Sequence, residues 1–134
     1  MPSRFLYLWG WERDDNCAAF LALARARLAA PGAGEAARWL IGTRDAQAVG
    51  GGERLSALGA GLWGFARSVQ TEQPHWQVSL VDCDNDSSHD ALIDELLSAD
   101  LEPEVALKGS ARYVRRFRQY DLQASQPAPA APPA

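Results

Sequence analysis

Asp82-Cys83-Asp84-Asn85-Asp86, followed shortly by His89, brings carboxylates, a thiol and an imidazole into one short stretch. Two carboxylates and a histidine near one strand end are the minimum for general acid and base work, so a small reductase or hydrolase using Asp82, Asp84 and His89 is one reading. Helix capping explains the same residues more simply. Ser87 or Ser88 caps a following helix, with Asp90 three residues after Ser87 in a capping-box place. As a calcium loop the stretch fails, because Ser87 stands where the sharp turn needs Gly and Ile93 where a bidentate Glu belongs. Cys83 has no base marked to activate it, and Asp82 and Asp84 raise its pKa wherever they lie close.

Other constellations fail on spacing. His75, His89, Cys17 and Cys83 do not fall at metal-ligand intervals, so no metal site is expected. A dinucleotide site needs a Gly-rich turn directly between strand and helix. Gly10 leads instead into bulky, acidic Trp11-Glu12-Arg13-Asp14, and Gly50-Gly51-Gly52 reads as plain loop. A phenol that passes a proton needs a Lys four residues on, yet Tyr7, Tyr113 and Tyr120 have Trp11, Phe117 and Ala124 there. No cofactor is expected. Arg112, Arg115, Arg116 and Arg118 alternate with Tyr113, Val114 and Phe117, as a basic binding stripe would. With a net charge of -4, exposed strand positions or an intramolecular docking edge explain them better than nucleic acid. Core packing accounts for most of the 5 tryptophans.

These residues hang on a simple alternation. Phe5 to Trp9 reads as a buried strand ending at Gly10. Asp14, Asp15 or Asn16 caps a helix carrying Ala18, Phe20, Leu21, Leu23, Ala24 and Leu28, which stops at Pro31-Gly32. Arg38 to Thr43 is a second strand. Leu58 to Pro74 is the central helix, with Leu58, Leu62, Phe65, Ala66 and Val69 on a core face. Gly59, Gly61 and Gly64 are expected to press against a neighbouring element, because helical glycines are otherwise costly. Gln77 to Asp82 is the third strand, and Leu92, Ile93, Leu96 and Leu97 form the inner side of a third helix. Val105 to Leu107, the turn Lys108-Gly109-Ser110, and Ala111 to Arg118 make a closing hairpin. This order predicts an α/β sandwich on a mostly parallel sheet.

At 134 residues and 47% hydrophobic content the chain reads as one domain over 1–120, with a Pro/Ala-rich linker or tail over 121–134. Cys17 and Cys83 are far apart and in different elements, which favours a reduced, cytoplasmic setting. The short run Phe5 to Trp11, broken by Glu12 to Asp15, leads us to expect neither a signal peptide nor a spanning helix, and Lys108 is the only lysine among 13 basic side chains.

Seven ordered segments then converge: Leu6-Tyr7-Leu8-Trp9-Gly10, Trp39-Leu40-Ile41-Gly42-Thr43-Arg44-Asp45-Ala46, Leu62-Trp63-Gly64-Phe65-Ala66-Arg67, Glu72-Gln73-Pro74, Leu80-Val81-Asp82, Glu104-Val105-Ala106-Leu107-Lys108-Gly109 and Arg112-Tyr113-Val114-Arg115-Arg116. Together, over about residues 5 to 118, they resemble the structural, non-catalytic half of the ketoreductase domain of modular type I polyketide synthases. The resemblance implies a truncated Rossmann-like three-layer sandwich that has lost cofactor binding. It also implies a partner, the catalytic half that reduces β-ketoacyl groups on an acyl carrier protein with NADPH, and makes the Pro/Ala tail a linker toward it. The family's structural half usually begins further upstream with another strand, and the catalytic Ser, Tyr, Lys and Asn have no counterpart here. The positions that map, Thr43, Arg44, Trp63, Gly64, Arg67, Glu72 and Pro74, are structural, and Arg67 is expected to pair with Glu72 or with the loop holding Thr43 and Arg44.

The leading expectation is therefore a scaffold with no catalysis of its own, no nucleic acid and no membrane, whose partners are the catalytic half or other synthase domains. The runner-up keeps the fold but makes the chain free-standing, docking on a synthase in trans or pairing with a copy of itself.

Overall fold

The computed structural model describes residues 4–11, 15–50, 54–87 and 89–119. The described residues form five strands and three helices, alternating until a closing pair of strands: β1 (Arg4–Gly10), α1 (Asn16–Ala29), β2 (Arg38–Arg44), α2 (Ala57–Glu72), β3 (Val78–Cys83), α3 (His89–Leu97), β4 (Glu104–Lys108) and β5 (Ala111–Val114). A short 3-10 turn over Pro74–Trp76 leads from α2 into β3. The sheet order is β1-β2-β3-β4-β5, parallel except for the last, antiparallel pair. The strand order never reverses along these five strands.

The strands form where apolar runs are buried on both faces, as a parallel sheet demands. All six residues of β3 are buried, as are the first six of β2. On one face α1 and α2 cover Tyr7, Trp39, Ile41, Val78 and Leu80. There Trp39 stacks between Phe5 and Trp76, at ring separations of 4.4 and 5.1 Å, and Phe20 meets its edge at 6.2 Å. Aromatic pairs in these geometries add to plain area burial. On the other face α3 sets Leu92 against Leu40, Val81, Cys83, Val105 and Leu107. The result is a three-layer, truncated Rossmann-like sandwich, with Gly109 at φ +57° opening the two-residue turn that closes the hairpin.

Each of the three crossovers steps to the next strand in the same direction, yet α1 and α2 lie on one face and α3 on the other. The connection β3-α3-β4 therefore has the opposite hand to the first two, a rare arrangement in parallel sheets. Two arginines pin the helix there. Arg38 of β2 donates to the Glu95 and Ser98 carbonyls at 2.8 and 2.7 Å, placing a cation at the carboxyl end of α3. Arg112 of β5 grips the Glu95 carboxylate at 2.7 and 3.0 Å.

Several expectations are corrected. Leu58 is half exposed, because the buried side of α2 centres on Gly59, Leu62, Trp63, Ala66 and Val69. Of the three helical glycines only Gly59 is tight, its absent Cβ lying 2.8 Å from Ala46 Cβ, while Gly61 and Gly64 face open space on the opposite side of the helix. On α3, Ile93 and Leu97 turn outward; on α1, Leu21 and Leu28 do so while Asn16 and Arg27 are buried. The ladder of β5 stops at Val114 rather than Arg118. Cys83 ends β3 rather than following it, and Gln77, at φ +46°, belongs to the turn before it. The expected caps Asp14 and Ser88, Gly51 and Gly52, and the segment 121–134 lie outside the described residues.

Candidate functional site

In an open α/β sheet, ligands bind beyond the carboxyl ends of the strands, and there this chain places Asp82. The carboxylate is fully buried. Its Oδ1 accepts from the Thr43 hydroxyl at 2.7 Å and the Ala46 N–H at 2.8 Å; its Oδ2 accepts from the Gln47 N–H at 3.1 Å and Lys108 Nζ at 3.0 Å. Trp63 Nε1 in turn donates to Thr43 Oγ1 at 2.7 Å. Strand ends β2, β3 and β4 and helix α2 are thus tied by one carboxylate whose four acceptor directions are all used. Asp45, at φ +52°, turns the chain so that the N–H groups of Ala46 and Gln47 point back at Asp82.

The proposed acid and base partners are not assembled. Asp82 faces the α2 side of the sheet, whereas His89 starts α3 on the other side, its ring 5.4 Å from that of Trp11. Asp84 holds the β4-β5 turn: Oδ2 accepts the Gly109 N–H at 2.9 Å, and Oδ1 accepts the Asp86 N–H at 3.1 Å and lies 2.7 Å from Ser87 Oγ. Partial burial opposes ionisation of Asp84, but the hydrogen bonds from Ser87, Gly109 and Asp86 outweigh it and lower the pKa. Ser87 is committed to this turn and to the Leu107 carbonyl at 2.9 Å. Burial, then Asp82 and Asp84, push the Cys83 thiol up to about 12, the opposite of an activated nucleophile.

The seven mapped positions fall into two groups. Thr43 and Trp63 belong to the Asp82 network, and Arg44 lays its guanidinium over the Trp11 ring at 4.4 Å. Pro74 opens the 3-10 turn that delivers β3, while Gly64 and Glu72 lie on the exposed side of α2. Arg67 pairs with neither expected partner. Its Nε and Nη2 meet Glu104 Oε1 and Oε2 at 2.8 and 3.0 Å, so the ion pair runs from α2 to β4. The hydrogen bond to Glu104 raises the Arg67 pKa despite partial burial. The arginine stripe is likewise used internally: Arg112 binds Glu95 and Asp100, Arg115 binds Glu104 and Arg116 binds Glu102.

Sequence reasoning missed Glu104 and Lys108 as partners. Their signal was alternation, since Glu104, Ala106 and Lys108 share one face of β4, the face that Leu80 and Asp82 present on β3. Among the described residues no cluster of three His, Cys, Asp or Glu is placed to hold a metal ion. Nor is any described helix long and apolar enough to cross a membrane. Between α2 and β5, a cleft of about 230 Å³ is lined by Val49, Trp63, Ala106 and Tyr113 together with Glu104 and Arg115.

A mostly parallel sheet with helices on both faces and a polar network across its strand ends defines a Rossmann-type α/β domain. Residues 11–117 match the family described as the Rossmann fold domain of the polyketide synthase extender module SpnB, and the chain belongs to that family. Among curated relatives, it is 38% identical over 79 residues to a mycoketide-CoA synthase of Mycobacterium tuberculosis, covering 59% of this chain and 2% of that protein. It is 37% identical over 88 residues to one component of the phenolphthiocerol/phthiocerol polyketide synthase of the same species, covering 64% of this chain and 4% of the relative. A mycocerosic acid synthase-like polyketide synthase of Mycolicibacterium smegmatis is 31% identical over 101 residues, covering 75% of this chain and 5% of the relative. The chain thus corresponds to a small fraction of each of these proteins, and the resemblance read from its motifs is borne out.

Proposed function

We propose that this chain is the non-catalytic scaffold subdomain of a polyketide synthase ketoreductase. In this reading residues 1–120 form the subdomain and 121–134 the connector, and a separate catalytic half reduces acyl-carrier-bound β-ketoacyl groups with NADPH. The observation that carries the reading is the Asp82 network. Where a dinucleotide-binding sheet opens a crevice for a pyrophosphate, Thr43, Ala46, Gln47 and Lys108 converge on a buried carboxylate. An anionic cofactor there would meet Asp82, Asp84 and Asp45 and would have to displace Lys108 from its partner. The unreversed strand order supports the same reading, because these five strands form no switch point. Thr43, Arg44, Trp63, Gly64, Arg67, Glu72 and Pro74 then serve the scaffold and not a reaction.

Calorimetry with NADPH tests this on the chain alone, followed by mixing with a separately expressed ketoreductase catalytic half and an assay of ketone reduction. The expected result is no binding alone and reduction that depends on the mixture. NADPH binding by the lone chain would overturn it.

A further inference from the structure

Two exposed helix flanks of this molecule match each other in polarity and charge. On α3, the inner side is Leu92 and Leu96; the flank toward β5 carries Glu95, bound by Arg112, and the flank toward β1 begins with His89 against Trp11. One turn and two turns beyond His89, Ile93 and Leu97 stand 46% and 54% exposed, and Asp90 and Asp94 form the next row outward. On α1, Leu21 and Leu28 are 37% and 47% exposed on one flank, with Arg25 in the next row outward. Arg25, Asp90 and Asp94 take part in no ion pair among the described residues, unlike Arg67, Arg112, Arg115 and Arg116. From Asn16 to Gly34, moreover, the chain contains no carboxylate.

We propose that the Ile93/Leu97 strip of α3, edged by Asp90 and Asp94, receives the Leu21/Leu28 ridge of α1, edged by Arg25, from a second copy of this chain. Leucines spaced two turns apart lie about 10 Å from one another along α1, long enough to bracket Ile93 and Leu97, which are about 6 Å apart. Burial of four half-exposed aliphatic side chains drives the contact, and the Arg25-aspartate pairing sets its direction. Because the two surfaces differ, the contact is head-to-tail and leaves an α3 strip open at one end of every pair. The inference stands apart from the scaffold reading, since it needs no catalytic half.

Sedimentation velocity over a concentration series of the full chain tests it, with circular dichroism confirming that each variant is folded. The wild-type mass rises with concentration, and added salt weakens the association. Arg25→Glu and Asp94→Arg each stay monomeric, and Leu28→Ser does so without a charge change. An equimolar mixture of Arg25→Glu and Asp94→Arg associates again, because one native and one reversed pairing alternate along the assembly. A wild-type chain that stays monomeric throughout, an association that both charge reversals leave intact, or a mixture that stays monomeric would each overturn the proposal. The first of these outcomes assigns the strip to some other partner.

Discussion

Arg67 and Glu104, 37 residues apart in sequence, meet through two parallel hydrogen bonds of 2.8 and 3.0 Å that join helix α2 to strand β4. Glu104 is almost fully buried and takes a third contact from Arg115 at 3.2 Å, so one carboxylate serves two arginines. Removing Arg67 leaves that carboxylate one cation; removing Glu104 leaves two guanidinium groups facing each other. Arg67 is partly exposed, which screens its share. Arg67→Ala should cost about 1 kcal/mol, and Glu104→Ala more, by urea denaturation.

The Asp82 network should be the costliest to break. Asp82→Ala removes the one buried acceptor shared by the Thr43 hydroxyl, the Ala46 and Gln47 N–H groups and Lys108, with an expected loss of about 3 to 5 kcal/mol. Trp63→Phe leaves the Asp82 carboxylate and its four donors in place, removing the outermost hydrogen bond together with part of a buried ring, and should cost about 1 to 2 kcal/mol. Equal losses from the two variants would show that the network does not act as described.

Glycine positions on α2 give a test of opposite signs. A methyl at Gly59 would collide with Ala46, so Gly59→Ala should lower the melting temperature. Gly61→Ala and Gly64→Ala meet nothing, and each should raise stability by about 0.5 to 1 kcal/mol in the isolated chain through better helix propensity.

Acid stability should depend on Asp84. Its pKa is lowered in the folded protein, so the unfolded chain binds the proton more readily. The stabilisation is therefore present above the ordinary carboxylate pKa and is lost as pH falls through the folded-state value. Asp84→Asn should be less stable than the parent at neutral pH, with the gap closing in strong acid, as followed by thermal melts at each pH.

The two thiols should separate cleanly. Cys83 is buried and its pKa is pushed up to about 12, while Cys17 is half-buried at the start of α1. Iodoacetamide at mildly alkaline pH should label Cys17 alone in the native protein and both after denaturation, as read by peptide mass spectrometry.

Much of this architecture was legible in residue order. The buried runs Trp39 to Ile41 and Val78 to Val81, the punctuation at Pro31-Gly32, and Lys108-Gly109-Ser110 mark local events, and local events are what periodicity and turn chemistry report. The Asp82 site was legible only as a cluster. Asp82 reads as the end of the third strand and Cys83 to Asp86 as a loop, but nothing in the sequence disclosed that the Asp82 carboxylate answers a lysine on β4. Pairings such as Arg67 with Glu104 depend on which strands become neighbours, and no spacing along α2 encodes that. The outward turn of Ile93 and Leu97 escaped for a related reason: a periodic apolar pattern marks a helix but not how much of its circumference a partner covers.

The opposite-handed connection through α3 has a consequence for motion. This helix reaches its sheet face by a path the first two crossovers do not share, and it is held there by fully buried Leu92, partly buried Ala91 and Leu96, and two arginine clasps, Arg38 and Arg112. The aromatic layer under α1 and α2 is undisturbed if those clasps let go. Opening of helix α3 should therefore not require opening of the rest, and its amide protons should exchange with solvent ahead of those in α2 and β2 while the rest of the sheet stays closed.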